Sequence, residues 1–221
     1  MCFGERHSWL TFIFGSVFVG LSAYKYAWVS RDALVICMIM GLVVVMQLWE
    51  ALAWRGFCGL ASWGGYISIL LQPAPLLLLL WPLKQQLGIQ GGQLSTWEGK
   101  LALGLMVLYY GTVFIGADAP SCILGDGKQI RYTWFRDWWQ KLGYLVVFGT
   151  VPLLLMRDQD IAWYWILVFY TSLIVTQWVY GELHANGSIW CYYGAASAVL
   201  LFAFLYYKFG ADGSGNKKII D

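Results

Sequence analysis

The stretch Ala33–Trp54, ALVICMIMGLVVVMQLWEALAW, decides the fold. Its only charged residue is Glu50. As a helix rising about 1.5 Å per residue, it is long enough to cross the ~30 Å of hydrocarbon in a bilayer. Six further apolar runs of similar length flank it, at about Trp9–Val29, Ala61–Trp81, Lys100–Ala117, Trp134–Met156, Ile161–Tyr180 and Ser188–Tyr207. Short polar connections separate them. The expected architecture is therefore all-α: a polytopic integral membrane protein with seven transmembrane helices in one bundle over residues 1–209. A polar tail follows at 210–221.

Composition agrees with that reading. Hydrophobic residues make up 60% of the chain and charged residues 12%, far from the usual soluble balance. The net charge is +2 and the basic residues are scattered through loops, which argues against nucleic-acid binding. The first apolar run follows Glu5, Arg6 and His7 and has no clear small-residue cleavage site after it. It is expected to stay as a membrane helix rather than act as a signal peptide.

Tryptophan and tyrosine together supply 28 residues, many near segment ends, including Trp9, Trp28, Trp54, Trp97, Trp163 and Trp165. Their rings suit the headgroup boundary, so anchoring is the expected role. An aromatic-lined cavity is the alternative. Pro73, Pro75 and Pro82 interrupt the third run and Pro152 the fifth. Such breaks are either re-satisfied by neighbouring helices or line a cavity. Lys84–Glu98 and Asp118–Tyr132 read as the two longer loops, with Thr133–Lys141 beginning the fifth helix.

Seven spans put the termini on opposite sides. The amino-terminal face would carry six basic residues and the other face eight, which favours a cytoplasmic carboxyl terminus. Cys2, Cys58, Cys122 and Cys191 map near the amino-terminal face, and Cys37 near the other. An oxidising outer or lumenal face would permit a bridge such as Cys58–Cys122, or one involving Cys2, although free small thiols fit equally well. Asn186-Gly187-Ser188 is a glycosylation sequon on the same face, meaningful only in a eukaryotic secretory pathway. The amino terminus is expected outside or in a lumen.

Gln47, Glu50 and Trp54 share one helical face. A carboxylate inside an apolar run must be neutral, partnered or facing water, so Glu50 stands out as a proton- or cation-handling group, or as a catalytic acid/base. An interhelical hydrogen bond that fixes packing is the plain alternative. Gln177, Glu182 and His184 map near the same face and could join Glu50 in a proton relay, or offer ligands to a divalent metal. With two histidines in the chain, a tri-histidine site is impossible. Cys2 is a candidate reactive thiol, with His7 as its base, or else a buried plug. Covalent retinal is not expected, because the last span offers only Lys208, at its extreme end.

The opening MCFGERHSW and the later VVVMQLWEALAW resemble a group of uncharacterised small multi-helix bacterial membrane proteins whose chains begin Met-Cys-Phe-Ser. That group carries Gln-x-x-Glu-x-x-x-Trp in its second helix, matched here by Gln47, Glu50 and Trp54. Gly4 stands where the group has serine. The resemblance covers the first quarter of the chain. It implies a shared multi-helix fold and supplies no mechanism.

Three classes follow from these residues. The first is transport or sensing of a small ion or small polar solute, with Glu50, Gln47, Gln177 and His184 lining a polar interior. The second is a membrane-embedded lipid-modifying enzyme, with Glu50 converging on His184 or Cys2 beside a lateral opening. The third is a structural subunit or scaffold of a membrane complex, or a homo-oligomer. A continuous polar cavity would separate the first two from the third, and a substrate-sized lateral cleft would favour the enzyme.

Overall fold

The computed structural model describes residues 4–80, 93–115, 122–125, 129–132, 138–180, 193 and 195–210. Seven long helical segments dominate them. In chain order these are α1 (Glu5–Tyr26), α2 (Arg31–Trp54), α3 (Cys58–Leu71), α5 (Trp97–Ile115), α6 (Trp138–Leu155), α7 (Gln159–Tyr180) and α8 (Ala198–Phe209). A 3-10 turn at Ala74–Leu76 carries α3 into the short α4 (Leu77–Leu80), so Cys58–Leu80 forms one interrupted helix.

Local chemistry sets the helix ends. Ser30 caps α2 by accepting a hydrogen bond from the Ala33 amide at 3.0 Å, and Thr96 caps α5 through the Gly99 amide at 3.1 Å. Asp158 caps α7 by accepting from the Ile161 amide at 3.3 Å. Gly210, at φ 82°, ends α8 in a conformation that glycine adopts without strain.

One departure from the all-α expectation lies between α5 and α6. Within Asp118–Tyr132, read from the sequence as loop, β1 (Cys122–Gly125) and β2 (Gln129–Tyr132) pair as an antiparallel hairpin, with Cys122 opposite Tyr132. Neither strand is longer than four residues, and each gains its backbone partners from the other, so periodicity across the segment carried no signal.

α1 packs on α2, α2 on α3, α5 on α6 and α6 on α7, and α8 returns to close against α1. Tyr164 of α7 stacks on Phe204 of α8 with ring centroids 4.6 Å apart. α2 is the most enclosed helix; it touches α1, α3 and α7, and Ile36, Ile39, Ala51 and Ala53 are fully buried. Glycines allow close approach at several crossings. A Cβ on Gly64 would collide with the ring of Trp49, and one on Gly15 would lie 2.8 Å from Val44.

Two of the described helical segments, Arg31–Trp54 and Cys58–Leu80, are long and apolar enough to cross a bilayer, against seven expected. α1 has 22 residues, but its serines, threonine, tyrosines and charged ends dilute its hydropathy. α8 is described over only 12 residues.

The outer faces of several helices carry a polarity opposite to that of a soluble bundle. α1 buries Ser8, Thr11, Gly15 and Ser22 while Leu10, Ile13, Phe14, Val17 and Leu21 are exposed. Exposed apolar residues repeat at helical spacing on α3 (Leu60, Trp63, Ile67, Leu71) and on α7 (Trp163, Leu167, Tyr170, Ile174). The buried polar residues include Gln47, Glu50, Ser62, Ser68, Gln72 and Gln140.

At each interruption a neighbouring helix donates to a main-chain carbonyl, and at Pro152 that carbonyl is the one the proline leaves. α6 runs through Pro152, which has no amide proton to give the Phe148 carbonyl. The indole of Trp165 on α7 donates to that carbonyl at 2.9 Å instead. At the break after α3, the Tyr110 hydroxyl of α5 donates to the Leu70 carbonyl at 2.9 Å. Trp165 is therefore no interfacial anchor. It is buried among Phe148 and Phe169, with centroids 5.7 Å away from each. Trp28 and Trp163, by contrast, are exposed near helix ends.

Trp165→Phe keeps an aromatic ring but leaves a buried carbonyl without its indole donor, which costs about 1–3 kcal/mol in addition to the cavity left by the smaller ring. Denaturant unfolding in detergent should show that loss. Unchanged stability would mean that the Phe148 carbonyl has another donor.

Candidate functional site

Two buried polar groups of residues lie inside the bundle, one near each half of its depth. The first belongs to the carboxyl-terminal part of α2. Three residues separate Gln47 from Glu50, so the two side chains face the same way, and the Gln47 amide Nε2 donates to Glu50 Oε2 at 3.1 Å. Gln47 is 0% and Glu50 2% exposed. Glu50 has interactions beyond this one. The Gln47 Oε1 atom is buried without a donor among the described residues, and so is the Ser62 hydroxyl on α3. Trp54, on the same face of α2, packs with Ala53 and Ala61, and its indole nitrogen is also buried without a partner there.

Trp49 ties this part of α2 to α3. Its indole donates to Ser68 Oγ at 2.8 Å across the face that Gly64 leaves open. Toward the end of the bundle, Glu5 of α1 pairs with Arg55 in the α2–α3 turn, and the Arg55 guanidinium sits 5.4 Å from the Trp9 ring centroid. Both pair members are largely exposed, so the contact orients the turn more than it stabilises the fold.

The second group forms where α3 breaks. Gln72, the residue after α3, is 0% exposed, and its Oε1 accepts a hydrogen bond from the Tyr144 hydroxyl of α6. Its Nε2 has no acceptor among the described residues. The Tyr109 ring of α5 lies 6.1 Å from that of Tyr144, and its hydroxyl, on a side chain 1% exposed, is likewise without a partner there. Sequence reasoning missed these three residues. Gln72 was masked by Pro73, which made it look like part of a turn, and a polar residue immediately before Pro-x-Pro in an apolar run was the available signal. Nothing in their own runs distinguished Tyr109 or Tyr144 from the other aromatics.

The remaining sequence candidates fall differently. Gln177 lies on α7 with its side chain outside the described residues, and Cys2, Glu182, His184 and Asn186 lie outside them altogether. Convergence of Glu50 with Glu182 and His184 is thus not part of the described geometry. Among the described residues, no group of three histidine, cysteine, aspartate or glutamate side chains could hold a metal. Cys58 is disulfide-bonded, whereas Cys37 is free and buried.

At the opposite end of the bundle, Lys208 is held by Asp158 Oδ1 at 2.9 Å and by Asp160. The Asp158 amide donates to Asp32 Oδ2 at 2.7 Å, so the starts of α2 and α7 and the end of α8 are joined. Desolvation works against the lysine charge, but the hydrogen bonds to Asp160 and Asp158 outweigh it and raise its pKa. The ammonium stays charged through neutral pH and serves as a lock. An open groove of about 480 Å³ runs between α2 and the α3 break, lined by Met38, Gly41, Leu42, Leu71, Ala74, Pro75 and Leu78. Its walls carry no titratable group, so it can accept hydrocarbon but offers no chemistry.

No family model matches the chain, and neither the curated proteins nor the solved structures contain a match.

Coupling between Gln72 and Tyr144 can be read from a double-mutant cycle. Tyr144→Phe should destabilise by about 1–3 kcal/mol because it strands a buried carboxamide oxygen. Adding Gln72→Leu removes the stranded group and should return part of that loss. Additive losses, measured by unfolding in detergent, would show that the two groups act independently.

Proposed function

We propose that this chain is a seven-span integral membrane protein that moves or senses a small ion or small polar solute. The observation that carries the membrane reading is the inverted polarity of α1, α3 and α7. Each turns a stripe of large apolar side chains outward, while Ser8, Thr11 and Ser22 of α1, Ser62 and Ser68 of α3 and Ser172 of α7 are buried. Hydrocarbon covers such stripes without cost, whereas water does not. Donors from Trp165 and Tyr110 on the two interrupted helices support the same reading, since a bilayer offers no water to a freed carbonyl.

The solute reading rests on the interior. A carboxylate and two carboxamides inside a membrane bundle are costly, and their usual return is a polar pathway or binding site. α3 is a discontinuous helix. Its 14 residues rise about 21 Å before the break, which puts Gln72 well inside a ~30 Å hydrocarbon layer. Interrupted helices of this kind place polar groups where transported solutes bind. Glu50 and Gln47 lie nearer the end marked by Glu5 and Arg55. Together the two groups offer a carboxylate, amide donors and phenol hydroxyls, a set suited to protons, small cations or a neutral polar solute.

Two measurements test this proposal. Alkaline carbonate washing should leave the protein in the membrane pellet; release into the supernatant would overturn the membrane reading. Proteoliposomes holding the full chain should pass protons, sodium or potassium, or a small polar solute such as glycerol. Glu50→Gln should cut that flux at least tenfold while the protein remains folded. Absence of flux from wild type for every one of these species would overturn the transport reading.

A further inference from the structure

We propose that the disulfide partner of Cys58 is Cys122, and that this bridge marks the hairpin end of the bundle as the end facing an oxidising compartment. Cys58 is in a disulfide and Cys37 is not, which leaves Cys2, Cys122 and Cys191 among the five cysteines. Cys58 is the first residue of α3, and Cys122 is the first residue of β1. β1 packs directly against α3, while β2 packs against α2. A disulfide needs its two Cα atoms within about 7 Å, a limit that selects elements already in contact.

The bridge gives the hairpin a covalent hold on the bundle. The two strands are four residues each, and an isolated two-stranded hairpin is marginal in water. Fastened to the start of α3, it lies against the end of the bundle nearest Glu50 and Gln47. Formation of the bond removes two protons and two electrons from the Cys58 and Cys122 thiols. A protein disulfide of an oxidising compartment accepts them and is itself reduced to two thiols. Such oxidants act outside the cytoplasm or in a lumen. The assignment of a side rests on the seven-span reading; the pairing does not.

Trypsin resolves the question because each cysteine falls on its own peptide: Cys2 on 1–6, Cys37 on 32–55, Cys58 on 56–84, Cys122 on 101–128 and Cys191 on 158–208. The full chain, blocked with N-ethylmaleimide and digested without reductant, should yield 56–84 linked to 101–128, and reduction should separate them. Linkage of 56–84 to 1–6 or 158–208, or its recovery as a blocked free thiol, would overturn the pairing. Intact cells treated with a membrane-impermeant reductant and then an impermeant maleimide should carry label on 56–84 and 101–128. Label that appears only after lysis would overturn the assigned side. Carbonate washing separates either failure from a failure of the membrane reading itself.

Discussion

A backbone carbonyl that loses its amide partner inside an apolar bundle must find another donor, and this requirement shapes the middle of the molecule. Pro152 takes the amide away from Phe148, and the Trp165 indole supplies the replacement from the next helix. The position of Trp165 then fixes how α7 lies on α6. Around that contact Tyr144, Phe148, Trp165 and Phe169 form an aromatic cluster, with Tyr144 and Phe148 centroids 4.4 Å apart. Where α3 breaks, the Tyr110 hydroxyl donates to the Leu70 carbonyl.

The break in α3 also delivers Gln72 to the interior. A straight helix could have carried a glutamine inward, but the interruption brings backbone and carboxamide together beside the tyrosines of α5 and α6. Tyr144 meets the glutamine oxygen and leaves its amide protons facing inward. The interior is therefore polar at this break as well as along the regular face of α2 that carries Gln47 and Glu50. Structural repair and a candidate binding site occupy the same place, because both draw on the hydroxyls of neighbouring aromatic residues.

The two ends of the bundle are fastened by different chemistry. At one end, an exposed ion pair between Glu5 and Arg55 lies close to a disulfide-bonded Cys58 in the sequence of the α2–α3 turn. At the other, Lys208 bridges two aspartates while Asp32 accepts from the Asp158 backbone. Lys208, inspected from the sequence only as an attachment point for retinal, is committed to this lock. The difference matters for handling the protein: reductant addresses the first end, and charge removal the second.

The sequence alone determined that the chain is helical, where its apolar runs lie, and that Glu50 and Gln47 share a face. These properties follow from composition and the 3.6-residue period, which act within one helix. It also located the proline interruptions, since proline lacks a donor wherever it stands. Only tertiary structure decided that Trp165, 17 residues from Phe148, replaces that donor at Pro152, and that Tyr110, 40 residues from Leu70, meets the carbonyl at the α3 break. The same holds for Gln72 and Tyr144, 72 residues apart, and for the hairpin whose strands are too short to leave a pattern. Contacts across such separations depend on how helices pack, and no local periodicity records that.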